Sequence, residues 1–131
     1  LVENREWWKI MGLQEDENAQ WFSVPEVAEK LRIRLRDVRA MLARKEIVAL
    51  RRGVNNALLL HESQFIDSAA GFTLVPGLKG TFTVLADGGY SDEEMLAWML
   101  TPNTQLATTP INALRAGRIH AVRTAILTSM N

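Results

Sequence analysis

The alternation of apolar and polar positions divides the chain into a helical pair, a hairpin and a second helical set. In "WFSVPEVAEKLRI", Val24, Val27, Ala28 and Leu31 form an apolar stripe over two turns. Ser23 is placed as an N-cap, with Glu26 three residues on to complete a capping box. Pro25 falls in the first turn, where its missing N–H does no harm. The pattern predicts a short helix ending near Leu31. A second helix is predicted from about Leu35 to Lys45, with Leu35, Val38, Met41 and Leu42 facing the core. Only about three residues join the two, as in a helix-turn-helix.

After Glu46 the period changes. "IVAL" (47–50) and "ALLL" (57–60) read as short strands on either side of "RRGVNN". Gly53, Asn55 and Asn56 tolerate positive φ, so the segment predicts a hairpin with Arg51 and Arg52 at its root. Helix, turn, helix and basic hairpin is the order of a winged helix. "HESQFIDSAAGFTLVPG" reads as a connector with one helical turn at 62–67.

Beyond it the chain reads as all-helical. Leu78, Phe82 and Leu85 have helical spacing, and Gly88-Gly89 is a stop. Ser91 with Glu94 is a second capping box, ahead of Met95, Leu96, Trp98, Met99 and Leu100, and Pro102 ends that helix. A last stretch starts at Thr109-Pro110, carries Ile111, Leu114, Ile119, Val122 and Ile126, and breaks at Gly117. The predicted class is therefore mainly α with a small β-hairpin wing: a winged helix-turn-helix followed by an all-helical C-terminal domain. The expected divisions are an acidic N-terminal segment (1–20), a winged helix (21–66) and a helical domain (76–131).

Composition changes this picture little until charge is mapped. The 131 residues carry 15 basic and 15 acidic side chains, with 47% hydrophobic residues and no cysteine. Disulfides, thiolate metal sites and cysteine nucleophiles are thereby excluded. Net neutrality hides a segregation. Residues 1–20 hold two basic and five acidic groups (−3), 21–60 nine and four (+5), and 61–131 four and six (−2). A basic module between acidic neighbours points to a polyanionic partner.

The second helix concentrates that charge. With Arg36 as zero, Arg39, Ala40 and Ala43 fall within roughly 60° of it, and Arg44 lies on the flank. Arginines separated by alanines let a helix approach a surface closely. Arg36 and Arg39 are placed for base edges or the phosphates beside them, since arginine pairs bidentately with guanine. Arg34, Arg44, Lys45, Arg51 and Arg52 are expected on phosphates. Five neutralised phosphates would give a log–log salt slope near about −4.5.

Catalysis finds little support. His61 and His120 have no metal-ligand spacing, and Asp92, Glu93 and Glu94 suit a helix start better than an acid/base pair. The glycines form no phosphate loop. The chain is expected to be no enzyme and to need no metal or cofactor. The first twenty residues lack the basic and apolar regions of a signal peptide, and no apolar run reaches the roughly 20 residues that span a bilayer. The expected location is cytoplasmic, at the nucleoid. Trp7 and Trp8, side by side in the acidic segment, cannot share one helix face. They are expected to form a staple over the core, the alternative being one packed on the domain and the other exposed or at a dimer contact.

"FSVPEVAEKLRIRLRDVRAMLARKEIVALRRG" resembles the winged helix-turn-helix of excisionases and MerR-type regulators. The longer stretch, with "LADGGYSDEEMLAWMLTPN" and "TPINALRAGRIHAVR", is similar to a family of small actinobacterial DNA-binding proteins that add a helical C-terminal domain. Two departures stand out: Arg34 occupies a position usually held by a Ser or Thr cap, and Lys45 one often held by Gly. The first is expected to weaken the helix start. The resemblance implies double-stranded DNA as partner and a role in transcriptional regulation. It also implies a serine/threonine kinase acting near the N-terminus, but residues 1–20 contain no Ser or Thr. The C-terminal block further resembles toxin-binding domains of antitoxins, which would make that half a protein-interaction module. A single DNA-binding module buries only roughly 600–1,000 Å², so tight specific binding would favour a homodimer.

Overall fold

The computed structural model describes residues 18–130. Trp7 and Trp8, and most of the acidic segment, lie outside the described residues. The elements in chain order are β1 (Trp21–Ser23), α1 (Val24–Leu31), α2 (Leu35–Ala43), β2 (Leu50–Arg52), β3 (Ala57–His61), β4 (Phe65–Ser68) and β5 (Gly71–Leu74). They continue with α3 (Leu78–Asp87), α4 (Asp92–Leu100), α5 (Pro110–Arg115) and α6 (Ile119–Ser129). Helices dominate, accompanied by two small antiparallel sheets.

The helix boundaries follow the predicted caps. Ser23 Oγ accepts the Glu26 N–H at 3.2 Å, and Glu26 Oε1 accepts the Ser23 N–H at 2.8 Å. Ser91 and Glu94 repeat the reciprocal pair at 2.8 and 3.1 Å. Thr109 Oγ1 accepts the Asn112 N–H to start α5, and Gly117, at φ 83°, separates α5 from α6. The second helix is shorter than expected. It stops at Ala43 because Lys45 takes φ 61°, and the Glu46 N–H turns back to Met41 O at 2.9 Å.

The strands needed more correction. β1, a strand that the hydrophobic pattern does not predict, pairs antiparallel with β3, so the sheet order is β1-β3-β2. Ile47, Val48 and Ala49 are buried but are not strand. The buried Gln64 side chain takes the place of a neighbouring strand at Val48. Its Oε1 accepts the Val48 N–H and its Nε2 donates to Val48 O, both at 2.9 Å. The strand starts only at Leu50, opposite Leu59. The expected connector is a second hairpin, β4–β5, after a single 3-10 turn at Glu62–Gln64. Phe65 and Phe72 stack across that hairpin with ring centroids 4.9 Å apart, and Phe22 meets both edge-on.

One hydrophobic cluster runs from Phe22, Val38 and Leu60 through Phe82, Leu96, Leu114 and Ile126. Met95, Trp98 and Met99 are buried in it. Arg115 ties α5 to the start of β4, donating from one terminal nitrogen to Ser63 O and Phe65 O at 2.9 Å each. Gly80 lets Arg123 lie across α3 to reach Thr81, where a Cβ would collide with the guanidinium. Among the described residues no helix is long and apolar enough to cross a membrane.

Candidate nucleic-acid interface

α2 presents the face that the charge pattern predicts. Val38 and Met41 point inward, while Arg36, Arg39 and Ala43 are exposed on the other side. Arg36 and Arg39 are the second and fifth residues of the helix, so their charges sit toward its N-terminal half. That is the half of a recognition helix that contacts base edges.

The other expected phosphate contacts already have partners. Arg34 folds back on Asp37, whose Oδ2 accepts from the Arg34 backbone N–H at 3.1 Å and from its Nε at 3.3 Å. The Asp37 carboxylate thus caps α2 from inside the helix, which corrects the expectation of a weak start. Those bonds, the backbone N–H first, hold the Asp37 pKa below the ordinary carboxylate value. Arg44 forks onto Glu46 at 2.9 and 3.2 Å. This hydrogen bonding lowers the Glu46 pKa and raises that of Arg44. Lys79 adds a longer contact to Glu46 at 3.9 Å. Lys45 Nζ lies 2.9 Å from Asp92 Oδ1 at the start of α4.

The hairpin arginines brace their own turn. Arg51 donates to Asn56 O at 3.1 Å. Arg52 lies over the Trp21 ring at 4.1 Å, and Trp21 stands edge-on to His61 at 4.9 Å. Arg51 remains exposed, whereas Arg52 is half-buried.

One cation escaped the sequence reading. Arg32 caps α1 in a left-handed conformation, φ 61°, and its side chain is exposed. No hydrogen bond, ion pair or ring contact engages the side chains of Arg32, Arg36 or Arg39 among the described residues. The uncommitted positive charge therefore lies within eight positions, 32–39. The signal for Arg32 was its place in a three-residue link, where the strained backbone favours Gly or Asn.

Other chemistry has less to build on. No three His, Cys, Asp or Glu side chains among the described residues are grouped to hold a metal ion. A cleft of about 520 Å³ lies between the β4–β5 hairpin and α5, lined by Phe22, Phe65, Phe72, Ile111, Asn112 and Arg115 among others.

Residues 75–125 match the family described as the Rv2175c C-terminal domain of unknown function. The chain is similar to the DNA-binding protein Rv2175c of Mycobacterium tuberculosis, with 29% identity over 119 residues, 82% of this chain and 78% of that protein. Its fold is similar to the NMR structure of Rv2175c, with a TM-score of 0.69 at 29% identity, across 86% of this chain and 82% of the other.

Proposed function

We propose that this protein binds duplex DNA through α2 and the β2–β3 hairpin, and regulates transcription from the site it occupies. On this reading residues 21–66 act as a winged helix-turn-helix and residues 76–131 as a helical domain that supports it. The activity is binding rather than catalysis, and it places the protein in the cytoplasm, at the chromosome. The observation that carries the reading is the cluster of Arg32, Arg36 and Arg39 on one short stretch, exposed and with no side-chain hydrogen bond, ion pair or ring contact among the described residues. The similarity to a protein named for DNA binding supports it.

Three uncommitted cations set the expected electrostatics. Arg36 and Arg39 enter the major groove, against base edges and the phosphates beside them, and Arg32 reaches the flanking backbone. Counterion release from three phosphates gives a log–log salt slope near about −2.7, shallower than five contacts would give. Arg34 and Arg44 would have to leave their carboxylates to reach phosphates, at some cost in affinity. The small footprint favours two copies on adjacent half-sites.

Fluorescence anisotropy with a mixed-sequence duplex, titrated at several salt concentrations, tests the reading. Arg36→Glu with Arg39→Glu abolishes binding while the thermal unfolding curve stays in place, because both side chains are exposed. Salt-independent binding, or equal binding by the mutant, would overturn it.

A further inference from the structure

The tip of the β2–β3 hairpin has the wrong chemistry for phosphates. The turn runs from Gly53 to Asn56, closed by the Asn56 N–H on Gly53 O at 3.0 Å, with Gly53 at φ 80° and Asn56 at φ 54°. Its central residues are Val54 and Asn55. Val54 is fully exposed, at 102% of the reference area for its side chain, and Asn55 is exposed beside it. No charged side chain lies at positions 53–56. The nearest cations are held back at the root, Arg51 on Asn56 O and Arg52 over Trp21.

An uncharged tip gains nothing at a phosphate. A β-branched side chain and a carboxamide instead suit the floor and walls of the minor groove. Adenine N3 and thymine O2 present acceptors there, which an amide N–H₂ can reach. Guanine adds a 2-amino group at the same level. That group would occupy the space of the Val54 isopropyl and offer the Asn55 donors a donor. Apolar side chains at such positions serve minor-groove binding elsewhere as wedges between base steps.

We infer that Val54 and Asn55 enter the minor groove and make the protein prefer A·T over G·C pairs where the tip lands. The inference rests on the DNA-binding reading above and assigns the tip of the hairpin a reading role. Arg51 holds the turn through Asn56 O.

The test uses the full chain and four duplexes in anisotropy titrations. One is A·T-rich and one is the same duplex with 2,6-diaminopurine in place of adenine, which adds the minor-groove amino group. The third is G·C-rich and the fourth replaces its guanines with inosine, which removes that group. Inosine leaves the major-groove edge as guanine presents it, so a major-groove reader ignores the exchange. The wild type should lose roughly fivefold or more in affinity on diaminopurine and regain it on inosine. Val54→Ala with Asn55→Ala should bind each duplex and its base-analogue counterpart alike, with an unchanged salt slope and unchanged thermal unfolding.

Equal wild-type binding to all four duplexes, with the salt slope intact, overturns this inference and leaves DNA docking standing. Discrimination between a duplex and its base-analogue counterpart that survives the double substitution overturns it too, since the minor-groove selectivity then arises elsewhere. Absence of binding to every duplex at low salt overturns the DNA-binding reading itself.

Discussion

Lys45 Nζ sits 2.9 Å from Asp92 Oδ1, joining the exit of α2 to the first turn of α4. The pair removes from the interface a cation that the sequence places on a phosphate. Lys45→Ala should therefore leave the salt slope of DNA binding unchanged. Both side chains are partly exposed, so the loss in stability should be at most about 1 kcal/mol by chemical denaturation. A slope shallower by about one contact in this mutant would return Lys45 to the interface.

Arg32 should show opposite effects on folding and binding. Its left-handed backbone costs a non-glycine residue roughly 1–2 kcal/mol, which glycine avoids. Arg32→Gly should raise the thermal midpoint, since glycine's entropic cost offsets only part of that gain. It should also make the salt slope shallower by about 0.9. Stability and affinity moving in the same direction would remove Arg32 from the contact set.

Arg34 and Arg44 form a reserve. Asp37→Asn keeps an oxygen for the Arg34 N–H but releases its guanidinium, and Glu46→Gln does the same for Arg44. The double variant should bind DNA more tightly, its slope steepening from about −2.7 toward about −4.5 as five cations become available. Anisotropy at two salt concentrations suffices to see it.

The same carboxylates give a pH dependence whose sign is fixed. Both have folded-state pKa values below their ordinary ones, Asp37 through the Arg34 backbone N–H and Glu46 through Arg44. Their contribution to stability is complete at neutral pH and is lost as pH falls below the ordinary carboxylate range, through the folded values. Denaturant midpoints should drop on acidification, and less so in Asp37→Asn with Glu46→Gln. Equal acid sensitivity of the two proteins would assign the loss to other groups.

Gln64 carries the largest single stability prediction. Gln64→Ala strips both hydrogen bonds from the buried Val48 backbone, and each orphaned group costs roughly 1–3 kcal/mol. Urea denaturation should show a loss of about 2–4 kcal/mol with little change in the slope against denaturant.

The helices were legible because their signals are local. Ser23 with Glu26, Ser91 with Glu94, Thr109 before Pro110, and Gly117 each fix a boundary within one turn. The sheets depend on distant partners. β1 is three residues long and exists because β3 lies beside it, and "IVAL" fails as a strand because a glutamine sixteen residues away reaches its backbone first. The β4–β5 hairpin hid behind Phe65 and Phe72, which read as a loop until their rings stack. At the candidate interface, residue type and helical spacing found Arg36 and Arg39. They could not reveal that Asp37, Glu46 and Asp92 claim Arg34, Arg44 and Lys45, because two of those partners are set by turn geometry and one by tertiary packing. Arg32 was missed because a link between helices has no face to score.

The continuous hydrophobic cluster ties the basic helix to the far end of the chain. Val38, beneath Arg36 and Arg39, belongs to the same buried set as Leu114 and Ile126. The two halves should accordingly melt together, in one transition, and a protease cut near Val75 should leave neither fragment folded. A lesion at Leu114 would then read out as lost DNA occupancy on the proposed reading, although it lies in a different part of the sequence from Arg32, Arg36 and Arg39. Genetic screens for DNA-binding defects in this protein should return core positions of the last two helices alongside the basic ones.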